Sequence, residues 1–214
     1  MNKNTECNHP LTHIAAKHKH FTDKCPMSTY HIKHVLTEIY GPLFNHLRDE
    51  PIKLLEIGVR WGGSLAMWRE FFPKAQIYGV DVDLSQATQK GMERTGQAKY
   101  KDIENTLEVL KGVKMIQGDG YNKDFAEKHF KDMKFDIIID DGMHDEPSLI
   151  KYFNVYRHFL KKGGYLMSED INSMDLARAV INNFDGPINN MSIIDRMHCS
   201  PRGRAERLIM YKDY

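Results

Sequence analysis

The sequence is short of cysteine, of net charge and of long apolar runs, and each shortage excludes a class of protein. Cys7, Cys25 and Cys199 are an odd, widely scattered set in 214 residues, unlike the dense even-numbered framework that staples a small secreted fold. Reduced thiols are expected. Lysine and arginine number 30 against 29 aspartates and glutamates, for a formal charge of +1, so no global field draws the chain to nucleic acid or to an anionic membrane. No window approaches the roughly 18 apolar residues of a membrane span, and no basic start leads into a long apolar run. Internal repeats and low-complexity blocks are also lacking. A soluble, cytoplasmic, single-domain protein with a sizeable core is the expectation.

Residues 1 to 24 are polar and rich in histidine, with no sustained period, and read as a mobile arm or lid. Between Tyr30 and Leu47 apolar residues recur at helical spacing, and Gly41-Pro42 is expected to divide them into two short helices. Residues 1–50 thus make an arm and helical cap for a main domain over 51–214. That domain opens with an apolar run, Ile52 to Val59, a glycine turn, and a helical segment from Ser64 to Phe72. Further strands are expected at Gln76 to Val80, Val113 to Gln117, Phe135 to Asp140 and Gly164 to Ser168. Helices are expected within Leu84 to Leu110, at Tyr121 to His129, at Ser148 to Leu160 and around Ser173 to Phe184. Met191 to Met197 and Arg207 to Lys212, joined by a loop through Pro201 to Arg204, suit an antiparallel hairpin. The pattern predicts an α/β fold with a Rossmann-like, doubly wound, mostly parallel sheet of seven strands.

Glu56-Ile57-Gly58-Val59-Arg60-Trp61-Gly62-Gly63-Ser64 occupies the first strand-to-helix turn. Glycines there let backbone approach a ligand, and the free N–H groups of a helix start can bind anionic oxygens. A nucleotide-like cofactor is the natural occupant. The second glycine comes four residues after Gly58 rather than two, which disfavours the dinucleotide fingerprint. Asp81, 23 residues after Gly58, stands where a carboxylate can take ribose hydroxyls, and Gly118-Asp119 can reach an adenine edge. With Asp140 at the end of the fourth strand, Glu56, Gly58, Gly62, Gly63, Ser64, Asp81, Gly118 and Asp119 complete the expected cofactor set.

Asp140-Asp141-Gly142-Met143-His144 and Glu169-Asp170 each follow an apolar strand. Parallel neighbours lie about 4.8 Å apart, and open α/β sheets bind ligands at their carboxyl edge, so one divalent cation can bridge both clusters. Three carboxylates gathered without a cation would repel one another.

These motifs carry a resemblance. Leu55-Glu56-Ile57-Gly58-Val59, Gly62-Gly63-Ser64-Leu65 with Met67-Trp68, and Ile77-Tyr78-Gly79-Val80-Asp81 resemble the class I S-adenosylmethionine-dependent methyltransferases. Asp140-Asp141-Gly142-x-His144, Gly163-Gly164 and Glu169-Asp170 resemble, more narrowly, the metal-dependent O-methyltransferases of macrolide and other natural-product sugars, a branch that includes cephalosporin-hydroxylase-like proteins. The resemblance runs from about Thr22-Asp23-Lys24 to Asp170. It implies S-adenosylmethionine as cofactor, Mg2+ held by Asp141, Glu169 and Asp170, and His144 as the general base that takes a proton from an acceptor hydroxyl. The acceptor it implies is a small polar molecule, a saccharide or glycosylated metabolite, with no nucleic acid or membrane involved. Nothing specifies a homo-oligomer interface, though symmetric association is common in soluble enzymes. A catechol-type methyltransferase, a dehydrogenase and a non-catalytic adenosylmethionine-binding protein are the alternatives.

Other features carry less. Cys7, His9, His13, His18, His20 and Cys25 are dense but lack the paired spacings of structural zinc sites. Thr22-Asp23-Lys24 reads equally as a segment that closes over the site and as a turn followed by solvated charge. Trp61 either walls the pocket or packs, Trp68 reads as packing, and Arg202, Arg204 and Arg207 read as a solvated basic loop.

Overall fold

The computed structural model describes residues 9–29, 34–197 and 207–214. Seven short runs pair into one sheet: β1 (Lys53–Ile57), β2 (Gln76–Asp81), β3 (Val113–Gln117), β4 (Phe135–Asp140), β5 (Leu160–Ser168), β6 (Met191–Asp195) and β7 (Arg207–Lys212). Their order is β3-β2-β1-β4-β5-β7-β6. The first five are parallel, and β7 runs antiparallel to both β5 and β6. The expected terminal antiparallel pair is therefore present, joined to the sheet through β7; the loop over Pro201–Arg204 lies outside the described residues.

Helices cover both faces: α1 (Pro10–Lys17), α2 (Thr37–Phe44), α3 (Gly63–Phe71), α4 (Gln89–Glu93), α5 (Tyr100–Leu110), α6 (Lys123–Phe130), α7 (Glu146–Tyr156) and α8 (Met174–Asn182). Side chains alternate across a strand, so neighbours enter different cores. Leu54, Ile137, Ile139, Tyr165 and Met167 pack in the layer with α1, α2, α3 and α5. Leu55, Ile57, Ile138 and Leu166 pack in the layer with α6, α7 and α8. Short polar caps fix where the helices begin. Asn122 Oδ1 accepts from the N–H groups of Asp124 and Phe125, Asp145 from Ser148 at 2.9 Å, and Ser173 from Leu176 at 3.0 Å. The Asp145 cap ends the loop that carries His144. Among the described residues, no helix is long and apolar enough to cross a membrane.

Two expectations need correction. The described part of the polar arm, from residue 9 on, is a packed element: Leu11, Ile14 and Ala15 of α1 are buried, as is Phe21. Among its histidines, His9 Nδ1 caps α1, and His18 bonds Thr106 Oγ1 at 2.9 Å and Glu70 Oε1 at 3.0 Å. Among the described residues no zinc-like cluster forms there, and Cys7 lies outside them. The break at Gly41-Pro42 does not occur either, because α2 runs through both residues. A proline inside a helix costs about 3 kcal/mol, which full burial of Tyr40 and Phe44 against Trp68 offsets. The helix expected over parts of Leu84 to Leu110 is present, as a 3-10 turn at Leu84–Ala87 followed by α4 and α5. Trp68 is indeed fully buried, and Arg207 pairs with Asp195 at 2.7 Å.

Candidate active site

From β1 the chain winds outward through β2 to β3, and from β4 it winds the other way to β5. The crevice beyond the ends of β1 and β4 is thus the topological switch point, where open α/β sheets place ligands. A cleft of about 780 Å³ lies there, lined by residues that include Gly58, Asp81, Gly118, Asp141, His144 and Asp170. The backbone ladder continues one residue past each strand, with Asp141 N–H donating to the Ile57 carbonyl at 2.8 Å and Glu169 N–H to the Asp140 carbonyl at 3.0 Å. Gly58 makes that closeness possible. Its φ is +94°, and a Cβ would stand 2.1 Å from the Asp141 carbonyl oxygen.

The glycine-loop half combines backbone and carboxylate. Asp81 Oδ2 accepts from the N–H groups of Val59 and Arg60 at 2.8 and 2.9 Å, and Oδ1 accepts from Asp83 at 3.0 Å, so Asp81 fixes the loop while facing the cleft. Ser64 and Asp119 also line it. Gly62 and Gly63 lie behind the lining, where a Cβ on Gly63 would stand 2.4 Å from the Phe21 backbone. Phe21, Thr22 and Asp23 therefore run over the start of α3 and roof the cleft. Glu56 does not reach the cleft. It is fully buried and accepts from the Ser64 hydroxyl and from Trp68 Nε1 at 2.7 Å. Burial pushes its carboxyl up to about 7, against the opposing pull of Lys24. Trp61 stands at the lining with the Arg60 guanidinium 4.1 Å from its ring centre.

The acidic half divides by strand alternation. Asp140 and Ser168 end β4 and β5 on the α7 face, where Asp140 Oδ1 accepts from the Tyr121 hydroxyl at 2.6 Å and Oδ2 from Ser168 at 2.9 Å. Burial raises the Asp140 carboxyl to about 6. Asp140 is therefore a support behind the lining: Tyr121 also accepts from Met143 N–H at 2.8 Å and so holds the 141–144 loop. A Cβ on Gly142 would meet the Tyr121 hydroxyl at 2.2 Å.

Asp141 and Glu169 lie one residue further on. Lys24 donates to Asp141 Oδ2 at 2.6 Å and to Glu169 Oε2 at 2.7 Å, and Tyr40 donates to Glu169 Oε1 at 2.7 Å. Burial alone would lower the Lys24 ammonium, but the Asp141 and Glu169 carboxylates outweigh it and hold it well above its ordinary range. His144 Nε2 stands 3.8 Å from Asp141 Oδ1 and 4.0 Å from Asp170 Oδ2. Asp141, His144 and Asp170 each offer one ligand atom, and these atoms lie within 4.8 Å of one another. Asp170 Oδ1 receives no hydrogen bond from the described residues. Asp170 Oδ1, 3.6 Å from His34 Nε2, and the neighbouring Asp141 carboxylate suit an oxygen-seeking divalent ion. Glu169 stands apart, because both of its oxygens are taken by Lys24 and Tyr40. The functional neighbours that sequence reasoning does not supply are Tyr40 and Tyr121, and the place of Lys24 behind the carboxylates.

Residues 55–171, more than half of the chain, match a family described as a methyltransferase domain. The chain belongs to this methyltransferase family. Among curated family relatives it is 31% identical over 169 residues to the 8-demethyl-8-(2-methoxy-alpha-L-rhamnosyl)-tetracenomycin-C 3'-O-methyltransferase of Streptomyces olivaceus, a match covering 75% of this chain and 36% of that protein. It is 30% identical over 146 residues to the mycinamicin VI 2''-O-methyltransferase of Micromonospora griseorubida, covering 64% of this chain and 32% of that protein. The chain thus spans about a third of the length of these curated relatives. Its fold resembles that of the MycE methyltransferase from the mycinamycin biosynthetic pathway, solved in complex with Mg and SAH, with a TM-score of 0.63 at 24% identity over 95% of this chain and 54% of that one.

Proposed function

We propose that this chain is a magnesium-dependent O-methyltransferase that moves a methyl group from S-adenosylmethionine to a hydroxyl of a small saccharide or glycosylated metabolite. The observation that carries the reading is the meeting of two halves in one cleft: the Gly58 turn with Asp81 on one side, and Asp141, His144 and Asp170 on the other. The names of the curated relatives support the acceptor class.

Bound S-adenosylmethionine would supply a sulfonium methyl that is already activated, so the protein's main task is alignment and exclusion of water. The Gly58 turn and Ser64 would hold the amino-acid end, Asp81 would take ribose hydroxyls, and Gly118-Asp119 would meet the adenine edge. Asp141 and Asp170 would hold magnesium, and Glu169 would be a third ligand only if Lys24 gave up one of its oxygens. Magnesium would make an acceptor hydroxyl beside it easier to deprotonate. It favours oxygen ligands, which leaves the His144 imidazole free to act as base. With the cofactor bound, methyl transfer from sulfur to the acceptor oxygen would release S-adenosylhomocysteine, and His144 would take the hydroxyl proton.

Calorimetric titration of S-adenosylhomocysteine, with NAD as control, tests the cofactor. Micromolar binding of the first alone is expected, and absence of binding overturns the reading. A labelled-methyl assay over saccharide, glycoside and catechol acceptors, in magnesium and in EDTA, then tests the reaction. His144→Ala is expected to lower turnover by about 10²- to 10⁴-fold with S-adenosylhomocysteine affinity nearly unchanged; full turnover in that variant removes His144 as the base.

A further inference from the structure

Lys24 is fully buried, an unusual place for a lysine, and its ammonium bridges carboxylates from two different strand ends. Asp141 follows β4 and Glu169 follows β5, so the ammonium sits between the two loops that form the acidic half of the cleft. Tyr40 holds the other Glu169 oxygen, and Asp141 Oδ1 faces His144. Lys24 therefore occupies the kind of position that a cation would take between these two carboxylates.

We propose that Lys24 is a positioning residue, a tethered counter-ion that holds Asp141 and Glu169 in place before a divalent ion arrives and competes with that ion for them, thereby setting the site's cation affinity. The inference rests on the magnesium-dependent reading above. Without Lys24, Asp141, Glu169 and Asp170 would repel one another, and buried Glu169 would lose its charge partner. With Lys24, an entering divalent ion meets a like charge at hydrogen-bond distance from two carboxylates, which weakens its binding. A lysine that served only to anchor the segment before α2 would have the opposite signature, since its loss would loosen the carboxylates and weaken cation binding.

The test uses Mn2+ alone, with the full chain and no cofactor or acceptor, in the native protein, Lys24→Met and Lys24→Gln. Free Mn2+ is followed by paramagnetic resonance, and melting temperature is recorded in EDTA and in Mn2+. The expected result is a lower melting temperature for Lys24→Met in EDTA, Mn2+ affinity raised roughly tenfold or more, and a larger Mn2+-induced rise in melting temperature than in the native chain. A Lys24→Met chain that folds only when Mn2+ is present also supports the proposal. Mn2+ binding equal to or weaker than native in both variants overturns it, as does Lys24→Met unfolded in both conditions with Lys24→Gln binding no tighter than native. S-adenosylhomocysteine binding to the native chain, titrated separately, reports on the methyltransferase reading, so the two failures are distinguishable.

Discussion

At the carboxyl edge of the sheet a buried polar network lies on each face. On the α2 and α3 face, Lys24 joins Asp141 and Glu169, Tyr40 joins Glu169, and Ser64 and Trp68 join Glu56. On the α7 face, Tyr121 and Ser168 donate to Asp140. Sequence neighbours feed opposite networks, Asp140 against Asp141 and Ser168 against Glu169, because successive residues of a strand point to opposite sides. The first network is ionic and ties the segment before α2 to the site; the second is built from hydroxyl donors and ties down one loop. Charge makes the first expensive to disturb, whereas hydroxyl donors leave the second tolerant.

The largest effect that separates the two faces is expected from Glu169→Ala, which leaves the buried Tyr40 hydroxyl unpaired and Lys24 with Asp141 alone. Urea unfolding in EDTA should show a loss of about 3–5 kcal/mol, and a loss below about 1 kcal/mol would make the faces equivalent. Next comes Glu56→Gln, whose effect depends on pH. Because the folded carboxyl titrates near 7 rather than near its ordinary 4.5, the folded chain binds the proton more tightly than the unfolded one. Native stability therefore falls as pH rises from about 4.5 to about 7 and then levels. The variant lacks that decline, so its stability relative to native should climb across the window by on the order of 3 kcal/mol; a constant difference would show that Glu56 ionises freely. The smallest effect is expected on the other face. Tyr121→Phe removes one donor to Asp140 and one acceptor from Met143 N–H, at about 1–2 kcal/mol, and should lower turnover through the loop that carries His144 while leaving Mn2+ affinity near native. A loss as large as that of Glu169→Ala would erase the distinction.

The sheet was legible because its strands are apolar runs that stop at glycine or an acid: Phe135–Asp140 and Arg207–Lys212 have the same bounds in the sequence pattern and in the fold. The loop acids follow from those endings. Strand alternation, counted outward from Ile139, also carries a signal that Asp140 and Asp141 part company, one into the core and one into the cleft. By contrast α1 has eight residues and three buried apolar side chains, Leu11, Ile14 and Ala15, too short a run to establish a period. Nothing local distinguishes Lys24 from a solvated lysine either, because its partners stand 117 and 145 residues further along the chain. Tyr40 and Tyr121 are hidden for the same reason: each looks like a packing aromatic until the acid beside it is placed.

Arg60, His144 and Asp170 are the non-glycine residues with positive φ among those described, at 49°, 55° and 55°, and each stands on a loop that leaves β1, β4 or β5 for the cleft. A side chain in that conformation costs about 1–2 kcal/mol that glycine does not. Selection for heat resistance alone would drift toward glycine at all three positions, and the hardier chain would have discarded its imidazole, a carboxylate and a guanidinium. Durability and chemistry here compete for the same three codons.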